Sequence, residues 1–124
     1  AACGLSLTAT TAFVVSTTER VGWSYNDQFV TAANAAQISN YRFINPNLAT
    51  PVATALSNSN RGAHAWHPTQ NFIVVNTGTG VGALSVFNVD PVTGTFSLTS
   101  THSDGFVIPP RYNELSWHPS GVYI

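Results

Sequence analysis

Three arginines, one histidine and one glutamate are the residues of this chain best suited to chemistry, and they share a place in a recurring pattern. Trp23, Trp66 and Trp117 each end a short run of small or apolar residues, and each is followed by a polar turn and a β-rich run. Aligned on those tryptophans, Arg20, Ala63 and Glu114 fall in register, and Val21, His64 and Leu115 follow one step later. Arg20, Arg61 and Arg111 all lie at or just before that entry, and they are three of only four arginines. Converging guanidinium groups suit a small anionic ligand, a carboxylate or phosphate gripped by paired hydrogen bonds. His64 is the candidate for proton transfer, since imidazole titrates near neutral pH. Glu114 is a candidate base or cation ligand, and equally a partner for a neighbouring arginine. Plainer readings stand beside these: arginines on solvated loops where a charge costs nothing, and a structural histidine at 64.

Other groups read as scaffold. His67 and His118 occupy the same turn position in two repeats, which makes them structural. His64 and His67 are three apart on a strand, hence on opposite faces, which argues against a shared metal ion. The sequence has no nucleophile elbow, no phosphate-binding glycine loop and no metal-ligand cluster, so neither cofactor nor metal is expected.

The elements that must position these groups are hairpins. Ala63–Val75 reads A-H-A-W-H-P-T-Q-N-F-I-V-V, with echoes at Val21–Thr31 and Glu114–Ile124. Alternation broken by a turn of Asn, Asp, Pro or Gly is the mark of a β-hairpin. Behind the first hairpin, Ile38–Ile44 and Pro51–Leu56 read as strands, with Ala32–Ala36 as a connection. Behind the second come a glycine-rich connection at Gly78–Gly82, a strand at Leu84–Val89, a D-P-V-T-G turn and a strand at Thr95–Thr101. Leu5–Thr10 and Ala12–Thr17 form two more strands ahead of the first repeat.

The tryptophans recur at intervals of 43 and 51 residues. Four short strands per unit of that length predict an all-β chain of β-propeller blades, each of four antiparallel strands. An immunoglobulin-type sandwich is the structural alternative, but it does not account for the returning W-H-P. The expected division is a half-blade at 5–17, blades at 21–56 and 63–101, and a half-blade at 114–124. That is about three blades' worth, an incomplete ring. It predicts completion either by further sequence or by other copies of the chain, joined head to tail into a ring or a filament. In such a ring the first strand of each blade lines the axis, which brings Arg20, Arg61, Arg111, His64 and Glu114 toward one face.

Composition narrows the partners. Only 7% of the residues are charged, Lys and Met are absent, and Thr, Ser and Asn number 15, 12 and 11. A formal net charge of −1 gives no electrostatic reason to expect nucleic acid or an anionic membrane surface. No apolar run is long enough for a membrane span. The low-charge, hydroxyl-rich surface points to an extracellular, cell-surface or periplasmic setting. Lone Cys3 excludes an internal disulfide. Its context, Ala1-Ala2-Cys3-Gly4, resembles the end of a bacterial lipoprotein signal. The usual leucine is missing and no tether follows, so the plainer reading is a buried or edge thiol.

Two segments carry a family resemblance. G-A-L-S-V-F-N-V-D-P-V-T-G-T-F-S-L-T-S-T and P-P-R-Y-N-E-L-S-W-H-P-S-G-V-Y-I resemble the 6-phosphogluconolactonase-type seven-bladed propellers, a group that includes carboxymuconate-lactonising enzymes. The resemblance covers about Arg61–Ile124 well and Val21–Leu56 loosely. It implies a lactone hydrolase or lactonising enzyme, with His64 as acid–base group and the arginines as anion clamp. That family often has a histidine after Pro-Arg, and Pro110-Arg111 is instead followed by Tyr112. The resulting expectation is a propeller module for binding or assembly, with the lactone enzyme as its rival.

Overall fold

The computed structural model describes residues 20–33, 37–44, 47–57, 63–77, 83–103 and 115–124. The expected strands at Leu5–Thr10 and Ala12–Thr17 lie outside the described residues, as do Cys3, the Gly78–Gly82 connection, Arg61, Arg111 and Glu114.

Among the described residues eight strands follow one another: β1 (Arg20–Trp23), β2 (Phe29–Ala33), β3 (Gln37–Ile44), β4 (Asn47–Ser57), β5 (His64–Trp66), β6 (Phe72–Asn76), β7 (Ala83–Val89) and β8 (Phe96–Ser103). They form two antiparallel four-stranded sheets, ordered β1-β2-β3-β4 and β5-β6-β7-β8. The described residues contain no helix. Every strand pairs with its neighbour in sequence, so the crossover of an immunoglobulin-type Greek key is absent from both sheets.

Turn chemistry sets the registers. The backbone N–H of Ser24 donates to Phe29 O (3.0 Å), that of His67 to Phe72 O (2.9 Å) and that of His118 to Tyr123 O (2.8 Å). These three bonds link the first and sixth residues after each tryptophan, so the three hairpins close identically. Asp27 and Gly121, both four residues after their tryptophans, adopt φ of 57° and 73°. Aspartate tolerates that left-handed geometry better than most residues, and glycine adopts it freely. In the D-P-V-T-G turn, the Asp90 carboxylate accepts from the backbone N–H groups of Thr93 (2.7 Å) and Val92 (2.8 Å), and Gly94 takes φ 73°.

Three expectations need correcting. Ala32 and Ala33 continue β2 rather than opening a connection. β4 is longer than Pro51–Leu56, and Pro51 sits opposite Tyr41 beside register shifts in the β3–β4 ladder. Proline has no N–H to give, so an edge strand with local bulges is where it is tolerated. The third repeat forms its turn but no strand: 115–118 and 122–124 share only the closing hydrogen bond. Val122 and Tyr123 are exposed there.

The core lies between the sheets. Ala33 and Ile38 of the first sheet meet Ile73, Val75, Phe87 and Val89 of the second, with Trp66 and Phe96 packed at the margin. Each fully buried aliphatic or aromatic side chain there contributes about 1.5–3 kcal/mol. β2 is buried at every residue and β6 at its last four, so both strands are covered on both faces. That explains why F-V-T-A-A and I-V-V-N do not alternate. At the far edge β8 is exposed along almost its whole length. Hydroxyls tie this edge inward: Thr77 Oγ1 lies 2.8 Å from Ser85 Oγ, which lies 3.0 Å from Thr101 Oγ1.

Candidate functional site

The seam between β1 and β5, the first strands of the two sheets, holds the candidate site. Side chains alternate along a strand, so Arg20 and Gly22 share one face of β1 with Thr31 across the ladder on β2. On β5, His64 and Trp66 share a face with Val75 and Ile73 of β6. The two faces meet at Gly22. A Cβ built on Gly22 would lie 3.0 Å from His64 Nε2 and 3.3 Å from Trp66 Cδ1. The absent side chain is what lets the imidazole and indole lie against the β1 backbone.

Arg20 stands two residues before Gly22 on the same face, about 6–7 Å along the strand, within reach of His64 for a side chain of its length. Both residues are half-buried and both are engaged within the fold. A guanidinium and an imidazole on opposite walls of one seam can hold an anion and exchange a proton beside it. Of the five residues picked out by type and spacing, these two are therefore brought to the same seam. Arg61, Arg111 and Glu114 lie outside the described residues. Arg42, the fourth arginine, serves elsewhere: its Nη1 donates to Val92 O (3.1 Å) and clasps the β7–β8 turn of the other sheet. Asn40 acts beside it, donating to Gly94 O (3.0 Å).

The seam is fixed by a device that spacing alone does not reveal. Trp66 Nε1 donates to Thr31 Oγ1 at 2.9 Å, and Trp117 Nε1 donates to Ala65 O at 3.1 Å. Gly22 and Ala65 both precede a tryptophan, and each receives the tryptophan of the next hairpin. Ser116 is the third residue of that set. The signal in the sequence was this run of small residues one place before each tryptophan.

The turn histidines cap their own turns. His67 Nδ1 accepts from the backbone N–H of Thr69 (3.1 Å), and His118 Nδ1 from that of Ser120 (3.2 Å). With Nδ1 accepting, the ring proton of His67 sits on Nε2 and donates to Gly121 O (3.0 Å). The His67 ring is buried and meets Trp117 edge-on, with centroids 4.7 Å apart. These contacts bind the third hairpin to the second sheet.

Among the described residues no group of three His, Cys, Asp or Glu side chains is placed to hold a metal ion. No helix among them is long and apolar enough to cross a membrane. No protein-family model matches the chain, and neither a curated protein nor a solved structure is found to match it. The described residues thus define a class: β-rich, with two successive four-stranded antiparallel sheets packed together and tryptophans docking each later hairpin on the one before.

Proposed function

We propose that the chain is a β-propeller module for binding or assembly, its ring completed by further sequence or by another chain, in an extracellular or cell-surface setting. One observation carries this reading: the tryptophan of each later hairpin docks on the hairpin before it, Trp66 on Gly22 and Thr31 and Trp117 on Ala65, twice and in the same direction. A stack built by one repeated, directional step turns about an axis, which is the construction of propeller blades. Burial of β2 and β6 on both faces supports it, because interior blades are covered on both sides. Electron microscopy of the native protein tests the reading. A disc of four-stranded blades around an axial channel is expected, and a closed two-sheet sandwich would refute it.

The position of Arg20 on β1, on the same face as the Gly22 against which His64 lies, favours a second reading, a lactone hydrolase or lactonising enzyme acting on a carboxylate- or phosphate-bearing sugar lactone. Fold by itself does not confer such an activity. Turnover of gluconolactone and related lactones, lost in His64→Ala, would establish this enzyme in place of the binding module.

A further inference from the structure

Among the described residues, the docking step that joins successive repeats leaves Trp23 and Ser116 without a counterpart. In both internal contacts the later tryptophan meets the small residue preceding the earlier tryptophan: Trp66 meets Gly22, and Trp117 meets Ala65. The next small residue in that series, Ser116, is exposed. Trp23 is the tryptophan with no earlier hairpin beneath it among the described residues. It is 50% exposed, with Val21 beside it 56% exposed, and its indole N–H has no hydrogen bond among the described residues.

The size of the uncovered strip indicates what fits it. Val30, Ala32, Ser39 and Tyr41 lie on the same face as Trp23 and are buried. Among the residues of β1 to β3 whose exposure is described, the open ones are Val21, Trp23, Tyr25, Asp27 and Gln28, on β1 and its turn. The turns supply complementary chemistry. His67 donates to Gly121, from the first position after one tryptophan to the fourth position after the next. The corresponding residues at the two ends are His118 and Asp27, both exposed. Placed as His67 is, the His118 imidazole would donate to the backbone carbonyl of Asp27, repeating the bond from His67 to Gly121 O, with the acidic Asp27 side chain close by. With a net charge of −1, two copies meet with little repulsion.

We propose that the strip Val21–Tyr25 receives the hairpin 115–124 of a second copy of this chain, with Trp23 seated on that copy's Ser116 and Asp27 beside its His118. The proposal rests on the propeller reading and names the partner that extends the ring. Such a head-to-tail contact is heterologous, so each copy keeps one donor and one acceptor face.

Light scattering on the full chain, on Trp23→Arg, on Ser116→Arg and on their equimolar mixture tests it, with circular dichroism confirming that each is folded. Wild type is expected at twice 13.2 kDa or a larger multiple. Each variant alone should be a monomer, its association weakened at least about thirtyfold, the effect of losing a buried tryptophan anchor. The mixture should recover a dimer, because one intact pair of faces remains between the two variants. If Trp23→Arg does not fold, Trp23→Gln replaces it. Wild type that associates while the mixture does not would overturn this interface and leave the propeller reading standing, as would native protein of larger covalent mass carrying its own further blades. A folded wild-type monomer with no covalent extension would overturn both.

Discussion

Thr31 and Val74 stand at the same position, eight residues beyond their tryptophans, and only Thr31 accepts a hydrogen bond from the tryptophan of the next hairpin. Valine has no acceptor, and Trp117 donates instead to the backbone carbonyl of Ala65, the residue paired with Val74 across the ladder. The same seat thus exists in a side-chain form and a backbone form. Thr31→Val should convert the first into the second, with Trp66 turning to the carbonyl of Gly22. The expected cost is about 1 kcal/mol, the loss of a buried hydrogen bond with partial rescue. Trp66→Ala should cost about 3 kcal/mol or more, since it empties the core margin. Urea midpoints of the two variants check the order, and equal losses would refute the interchangeable seat.

Gly121 combines two constraints. Its φ of 73° disfavours any side chain, and a Cβ there would collide with the His67 ring. Gly121→Ala should therefore destabilise by about 2 kcal/mol, of which about 1 kcal/mol is backbone strain. His67→Ala in the same chain should remove the collision and leave the strain. A double-mutant cycle measures this, and strict additivity would show that the ring and Gly121 are not coupled.

The strands were legible because turn residues punctuate them. Asn26-Asp27, His67-Pro68 and Asp90 to Gly94 mark reversals, and the runs between them have the β-branched and aromatic content that pleated surfaces favour. The seam was partly legible: spacing on the tryptophans put Arg20 and His64 at neighbouring entries, and Gly22 lets His64 lie against the strand that carries Arg20. Thr31 as a tryptophan acceptor was not legible, because a threonine in an apolar strand looks like any other β-former. Nor were the clasps made by Asn40 and Arg42. Their partners, Gly94 and Val92, lie 54 and 50 residues away, and only the stacking of the sheets reveals them.

Asp90 gives the fold an acid-side sensitivity. Hydrogen bonds from the backbone N–H groups of Thr93 and then Val92, with the Thr93 side chain, hold its carboxyl below the ordinary aspartate value. A group whose pKa is lower in the folded state stabilises that state above its unfolded pKa, and the contribution fades as pH falls through the folded value. The turn should therefore be firm at neutral pH and loosen in acid. Because the Asp90 carboxylate bonds within its own turn, the effect is confined to the β7–β8 turn. A carbon-detected titration of its carboxyl should show the depressed midpoint. The stability gap between wild type and Asp90→Ala should shrink toward acid, and a gap constant with pH would refute this role.

His67 and His118 separate what a turn histidine does for its own turn from what it does for its neighbour. Their Nδ1 bonds to the residue two places on are nearly equal, at 3.1 and 3.2 Å. Only His67 is buried, bonds to Gly121 O and packs against Trp117, while His118 is exposed and meets only Tyr123 and Ser120 of its own hairpin. In dilute protein, His118→Ala should cost under about 1 kcal/mol, the share of an exposed side-chain-to-backbone bond. His67→Ala should cost about 2–3 kcal/mol, because it also opens a buried gap and leaves the Gly121 carbonyl without its partner. The difference is a difference of surroundings alone, so it should narrow when His118 acquires a neighbour. If the hairpin of one copy docks on the β1 strip of another, the cost of His118→Ala should rise with protein concentration while that of His67→Ala stays fixed. Thermal midpoints of both variants across a dilution series measure this. A His118→Ala penalty independent of concentration, in protein that light scattering shows to associate, would place the contact between copies somewhere other than this turn.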